Sequence, residues 1–295
     1  MKLFRLALLI LTMGSCKAQD QPVLQTNKDD NSLLWEVSGN GLDSASYLFG
    51  TFHLLCNSDI HFSDQLKRAV KYADKVYLEL DMDDPSVLLG GIMLMNMKDG
   101  KSLKDLYKPQ EYERVSAFFI DSLHMPLMMV QNMKPAFLES LLYPKMMSCK
   151  SVSGVDEEIM KMALKEKKEI KGLETMEFQA SVFDSIPYDE QAKELLNTID
   201  SLPKYKLDFD TMIQVYKSQD IKKIDQLFEK EDFSMSDNKD LLLNDRNANW
   251  VKQLKVIMKK ERVFVAVGAG HLVGEKGLIS LLRKEGYTVR PLSNR

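Results

Sequence analysis

Short segments with the apolar patterns of β-strands lie towards both ends of this chain, and helical patterns fill most of the stretch between them. Residues 33–39 and 46–53 flank a turn rich in Gly, Asn and Asp, which predicts a β-hairpin. Four more strands are predicted at 76–82, 168–173, 262–267 and 287–292, and helices are predicted at 58–73 and 277–285. The pattern predicts an α/β (α+β) fold with a central mixed β-sheet built from N- and C-terminal strands, flanked by helices, and a helical middle section.

The first 16 residues have the composition of an export signal. Lys2 and Arg5 precede an apolar run that is too short to span a bilayer, and Gly14 and Ser15 then precede Cys16. We expect a signal peptide with a lipobox-like end in which Cys16 is lipidated. Cleavage after Ala18 by an ordinary signal peptidase is the competing interpretation.

The remaining chain divides into a polar segment and a long globular part. Residues 17–32 are polar, contain Pro22 and predict a flexible tether, and residues 33–295 predict a single domain. An exported protein of this kind resides in the periplasm, in the outer membrane or at the cell surface, with the N-terminal lipid as its only contact with the membrane. Cys56 and Cys149 are compatible with a disulfide in an oxidising compartment or with two buried thiols.

The charge balance argues against one class of partner. The chain has 40 Lys and Arg against 43 Asp and Glu, a net charge of −3, so it has no basic excess to neutralise a nucleic-acid backbone. We therefore expect no nucleic-acid partner.

Two of the four histidines share one local setting. Gly50 precedes His53 by three residues at the end of a predicted strand, and Gly268 precedes His271 in the same way after another. Functional side chains concentrate at strand ends, because the sheet fixes the backbone while the loop leaves the side chain open. Glycine there permits a positive φ or a close approach of the backbone to a ligand.

A carboxylate completes a candidate metal site. Glu79 and Asp81 share one face of the strand predicted at 76–82, and a buried carboxylate needs a charged partner or a metal. Two imidazoles with one or two carboxylates suit Zn²⁺, Mn²⁺, Co²⁺ or Fe²⁺. The spacing carries no H-E-x-x-H signature, and a purely structural role for both histidines remains open.

The two G-x-x-H segments, with VYLELD between them and VFVAVGAGHLVGEKGLISLLRKEGYTVRPL at the end, resemble the TraB/GumN family. That family is related to the TIKI metalloproteases and, more distantly, to erythromycin esterase and ChaN-type proteins. Gly154-Val155-Asp156, the segment from Gly172 to Gln179, and LNDRNANW around Arg246 and Asn247 extend the resemblance over about residues 33–292.

For this chain, which we expect to be exported, the resemblance implies an EreA/ChaN-like fold and a metal-dependent hydrolase, and we expect a peptidase with a peptide or protein substrate. On this hypothesis His53, Glu79 and His271 bind a divalent ion (Mn, Co or Zn). The proton acceptor is Glu79, Asp81 or Glu174, and Arg246 and Asn247 orient the substrate or stabilise an oxyanion. Whether His53 is a ligand or a base stays open at this point.

Two other functions are compatible with the same resemblance. The first is a non-catalytic lipoprotein that binds or sequesters a peptide, or regulates, on the same fold. The second is a haem- or metal-binding lipoprotein.

Overall fold

A computed structural model describes residues 31–229 and 238–294. The predicted signal peptide, Cys16 and nearly all of the predicted tether lie outside these residues. Ser32, the last residue of the predicted tether, is buried, and its hydroxyl lies 2.6 Å from the carbonyl oxygen of Leu292.

A six-stranded sheet forms the centre of the fold, in the order β6-β4-β7-β2-β1-β8. Its strands are β1 (Leu34–Ser38), β2 (Ser46–Thr51), β4 (Lys75–Leu80), β6 (Glu169–Glu174), β7 (Val263–Gly268) and β8 (Thr288–Pro291). Strands β6, β4, β7 and β2 are parallel, whereas β1 pairs antiparallel with both β2 and β8. The carboxyl ends of the four parallel strands therefore meet at one edge of the sheet.

A separate two-stranded sheet lies beside the end of β2. It consists of β3 (Leu55–Cys56) and β5 (Val152–Ser153), which pair antiparallel. Cys56 and Cys149 form a disulfide at this small sheet, with their Cα atoms 5.9 Å apart. Of the two states that the sequence left open for these cysteines, the structure has the disulfide.

Helices cover both faces of the large sheet. They are α1 (Asp64–Tyr72), α2 (Pro85–Leu94), α3 (Leu103–Leu106), α4 (Pro109–Leu123), α5 (Pro135–Ser140), α6 (Tyr143–Met146), α7 (Val155–Lys165), α8 (Met176–Asp184), α9 (Tyr188–Asp200), α10 (Leu202–Ser218), α11 (Ile221–Phe228), α12 (Asp245–Ile257) and α13 (Leu278–Lys284). A π-helical turn, Asp240–Asn244, leads directly into α12.

The alternation of side chains along β7 divides the core in two. Phe264 and Ala266 belong to the larger cluster, which takes in buried residues of the helical middle section and of α1 and α7. Val263, Val265 and Val267 face the opposite side and pack with Trp250 and other apolar residues of α12 and α13. A strand buried on both faces needs this continuous apolar sequence.

The fold class predicted from the sequence is confirmed. The helix expected at 58–73 begins later, at Asp64, where the Ser63 hydroxyl accepts a hydrogen bond from the Leu66 amide. His61 therefore lies before this helix. Within the part of the chain that the structure describes, no helix is both long enough and apolar enough to cross a membrane.

Candidate active site at the carboxyl edge of the sheet

Four segments bring polar side chains to the carboxyl edge of the sheet. Glu79 is the penultimate residue of β4 and Glu174 the last residue of β6. His271 ends a 3₁₀ turn that follows β7, and His53 comes two residues after β2. Residues that are up to 218 positions apart in the sequence thus meet at one place in the fold.

The imidazole of His271 is buried and held in one orientation. Its Nδ1 lies 2.7 Å from Oδ1 of Asn247, whose own amide nitrogen donates to the carbonyl oxygen of Lys276 at 3.0 Å. The ring packs on Trp250, with 4.4 Å between centroids. Burial lowers the pKa of His271 to about 3, so the ring is neutral, with its proton on Nδ1 and its lone pair on Nε2.

Arg246 joins both buried glutamates. Its Nη2 lies 2.7 Å from Oε2 of Glu79 and 2.8 Å from Oε2 of Glu174, and its Nε donates to Glu174 at 3.1 Å. Its Nη1 donates to the carbonyl oxygen of Leu242 at 3.0 Å and to Nε2 of His271 at 3.3 Å. All five N–H groups therefore have partners, and none is left in this arrangement for a substrate.

Glu79 occupies the middle of this network. Its Oε1 accepts the Gly268 amide at 2.9 Å and lies 3.8 Å from Nε2 of His271. Burial opposes its charge, but the basic side chains of His271, Arg246 and His53 lower its pKa to about 2. Glu79 is therefore ionised at neutral pH.

His53 and Asp156 form a second pair at the same edge. Nδ1 of His53 lies 3.3 Å from Oδ2 of Asp156, in the first turn of α7. The His53 side chain is 70% exposed. Its hydrogen bond to the Asp156 carboxylate raises its pKa to about 9.

A cavity of about 110 Å³ borders both Glu79 and the His53–Asp156 pair. It is lined by Thr51, His53, Leu78, Glu79, Leu80, Met82, Asp156, Gln179 and Ala266. Oγ1 of Thr51 and Oδ1 of Asp156 are buried and have no hydrogen-bond partner among the described residues. Unpaired buried polar atoms are costly, so their presence in this cavity is typical of a site that binds something.

The donors fit a divalent ion by their chemistry. Each of the two histidines has Nδ1 engaged by an oxygen atom, the arrangement in which metal-binding histidines present Nε2. Glu79 adds an ionised carboxylate 3.8 Å from Nε2 of His271. No three His, Cys, Asp or Glu side chains are gathered closely enough to bind one ion, however, in the ranges 31–229 and 238–294.

The other predicted site residues take different places. Gln179 donates at 3.4 Å to Glu79 and to Glu174. Asn247 orients the His271 ring and is 1% exposed, and it is not among the residues that line the cavity. Asp81 lies one residue beyond β4, where burial and a hydrogen bond with Asp83 raise its pKa to about 6. Neither Asp81 nor Glu174 lines the cavity.

Of the two motif glycines, Gly50 acts by close packing. Neither Gly50 nor Gly268 has a positive φ. A Cβ atom on Gly50 would lie 2.9 Å from Leu272 Cδ1 and 3.2 Å from Ala269 Cα. The glycine therefore lets the turn that carries His271 approach β2.

Sequence reasoning assigned no role to Asp156, Thr51 or Trp250. Asp156 was visible only as part of Gly154-Val155-Asp156, and an acidic residue after a glycine at a helix start is common because it favours the helix N-terminus. The signal that separates Asp156 from such residues is its contact with His53, which only the fold supplies.

A buried histidine, two glutamates joined by one arginine and a small cavity, all at the carboxyl edge of a parallel sheet, define a candidate functional site on an α/β scaffold. The model of the TraB/PrgY/gumN family matches residues 33–291, and the chain belongs to this family. The resemblance that the motifs indicated is confirmed.

The chain is also similar to two curated proteins from Danio rerio, both of which are named as metalloproteases. The chain is 24% identical to Metalloprotease TIKI2 over 332 aligned positions, which cover 94% of this chain and 64% of that protein. It is 23% identical to Metalloprotease TIKI1 over 324 positions, covering 88% and 63%. The chain thus spans less than two thirds of the length of these relatives. No solved structure matches the chain significantly.

Proposed function

We propose that this protein is a metal-dependent hydrolase that cleaves peptides, with His53, Glu79 and His271 as the ligands of a Mn, Co or Zn ion. One observation carries the proposal. The neutral Nε2 of His271 lies 3.8 Å from the ionised Oε1 of Glu79, beside a cavity that His53 also lines. The metalloprotease names of the two relatives support the same chemistry.

A divalent ion bound there supplies a water of lowered pKa and polarises the carbonyl that is attacked. The chain's own residues prepare the site. Arg246 pairs with Glu79 and Glu174 and helps to keep Glu79 ionised, and Asn247 keeps the proton of His271 on Nδ1. Gln179 lines the cavity, and its amide nitrogen donates to Glu79 and Glu174 at 3.4 Å.

Elemental analysis of the purified protein tests this proposal. We expect nearly one divalent ion per chain, lost in His53→Ala and in His271→Ala. His61→Ala is the matched control, because this histidine lies outside the site and its removal leaves the metal content unchanged. A wild-type protein that takes up no Mn, Co or Zn when each is supplied would refute the metallohydrolase.

A second candidate function is peptide binding without cleavage. The observation in its favour is that Arg246 already pairs with Glu79 and Glu174 and contacts Nε2 of His271, so all three side chains have a partner without an ion. Fluorescence anisotropy with a labelled peptide library separates the two. A sequestering protein keeps its peptide affinity in His53→Ala and His271→Ala and yields no cleavage products.

We also propose that the protein is exported and anchored through a lipid on Cys16. Support comes from the composition of residues 1–16 and from the Cys56–Cys149 disulfide, because such bonds persist in oxidising compartments. Mass spectrometry of the mature N-terminus in a bacterial host tests this. A diacylglyceryl-modified Cys16 is the expected result, and an unmodified N-terminus after Ala18 would contradict it.

A further inference from the structure

His53 and Asp156 come from distant parts of the chain, and specific contacts hold their segments together. His53 lies between β2 and β3, and Asp156 lies in the first turn of α7, 103 positions later. The amide of Val155 donates to the carbonyl oxygen of Phe52 at 2.9 Å. This backbone bond joins the two immediate neighbours of the pair.

The next contacts along both segments belong to the small sheet. Strands β3 and β5 have two residues each, and Asn57 adds bonds from its amide and its side chain to Ser151 at 3.0 and 2.9 Å. So short a ladder is marginally stable in water. The Cys56–Cys149 disulfide is therefore the contact that makes this junction permanent.

Gly154 completes the arrangement by leaving room for the carboxylate. A Cβ atom at this position would lie 2.6 Å from Oδ1 of Asp156 and 3.0 Å from the carbonyl oxygen of His53. The backbone oxygen is fixed, so the carboxylate would have to move. An alanine there displaces Asp156 without removing its charge.

We propose that Asp156 is a positioning residue for His53, and that the Cys56–Cys149 disulfide and Gly154 hold it there. Asp156 Oδ2 engages Nδ1 of His53 and leaves Nε2 as the nitrogen that can bind a ligand. The inference rests on the proposed function, in which that ligand is a metal ion. The disulfide thus acts on the site three residues away from His53, in addition to any effect on global stability.

Two readouts on the full-length protein test this inference. The first is the affinity for Co²⁺, followed by its visible absorption. The second is the set of ring ¹⁵N resonances of His53 in histidine-labelled, metal-free protein, assigned by comparison with His53→Gln. A merely structural disulfide changes the melting temperature but leaves the ring resonances unchanged.

The variants are Asp156→Ala, Gly154→Ala and the double variant Cys56→Ser with Cys149→Ser. We expect each to weaken Co²⁺ binding by about 10- to 100-fold and to shift the His53 resonances. Asp156→Asn recovers part of the affinity, because its amide oxygen still accepts from Nδ1. Glu157→Gln removes one charge from the same helix turn and leaves both readouts at their wild-type values.

The possible results distinguish a failure of this inference from a failure of the proposed function. Wild-type affinity and unshifted resonances in the three variants would overturn the inference. Should the double cysteine variant fail to fold, Gly154→Ala and Asp156→Ala decide alone. If the wild type binds no Co²⁺, the proposed function fails, and the ring resonances still establish or refute the positioning of His53.

Discussion

Oδ1 of Asn247 lies 2.7 Å from Nδ1 of His271, and the Asn247 amide nitrogen donates in turn to the carbonyl oxygen of Lys276. The second bond fixes which end of the Asn247 side chain faces the ring. Because that end is an acceptor, His271 must carry its proton on Nδ1. The lone pair therefore points from Nε2 towards Arg246 and Glu79.

Asn247→Ala should remove the hydrogen bond that fixes the orientation and tautomer of the His271 ring. We expect Co²⁺ affinity to fall by about 10- to 100-fold, since the partner that orients a metal-binding histidine is lost. Unfolding free energy should fall by about 1–3 kcal/mol, because buried polar groups lose their partners. Asn249→Ala, an exposed asparagine on the same helix, should change neither quantity. Equal Co²⁺ affinities in the two variants would contradict the assignment.

Arg246→Met should leave Glu79 and Glu174 as two buried, unpaired carboxylates. Loss of one partner from a buried ion pair costs about 3–5 kcal/mol, and urea unfolding at pH 7 should show a loss of this size. A divalent ion supplies the missing positive charge, so Mn²⁺ or Co²⁺ should restore part of the stability. Arg114→Met breaks an exposed pair with Asp200 and should cost less than about 1 kcal/mol. A variant as stable as wild type without metal would argue against this account.

The two motif glycines should respond differently to alanine. Gly50→Ala forces a methyl group against Leu272 and Ala269, so a loss of about 1–3 kcal/mol is expected in unfolding experiments. A Cβ atom on Gly268 would lie 3.4 Å from Oε1 of Glu79 and 3.7 Å from Cδ2 of His271, which are ordinary contacts. Gly268→Ala should therefore fold with nearly wild-type stability. The reverse order would show that the packing argument is wrong.

Stability should decrease between about pH 4.5 and 7 through Glu139. Burial raises its pKa to about 7, although the Thr198 hydroxyl donates to it, and Glu194 adds repulsion. The unfolded chain releases this proton near pH 4.5, so the stabilisation is present below that pH and is lost as the pH rises through 7. Glu139→Gln should become more stable relative to wild type by up to about 3 kcal/mol between pH 5 and 8.

Urea unfolding of both proteins at several pH values measures this difference for Glu139. Glu190→Gln, at an exposed position of α9, serves as the control and should run parallel to wild type. Parallel curves for Glu139→Gln as well would show that Glu139 titrates normally in the folded protein.

Much of the sheet was predictable because its strands carry strong local patterns. Val263 to Val267 is apolar throughout, and a short apolar run rich in valine is typical of a strand covered on both faces. Strands β3 and β5 were not predicted, since two residues are too few to produce a periodic pattern. They lie beside the Cys56–Cys149 disulfide, and no local pattern in the sequence reports that these two cysteines are close together.

The sequence predicted several residues of the site, but it did not predict which of them contact each other. His271 and Glu79 were named from their positions at strand ends, and they lie together. Arg246 was expected to face the substrate, whereas its N–H groups are taken by Glu79, Glu174, Leu242 and His271. The partners of these N–H groups come from several helices and strands that are distant in the sequence. No local sequence pattern therefore shows that every N–H group of Arg246 is occupied.

The position of β7 has a consequence for the order in which the molecule is made. This strand lies between β4 and β2, yet it is synthesised long after both. Until residues 263–268 are synthesised, β2 and β4 each lack their neighbour on one side, and Glu79 lacks the Gly268 amide as a partner. The ion site that we propose between Glu79 and His271 can therefore form only after residues 263–271 have been synthesised.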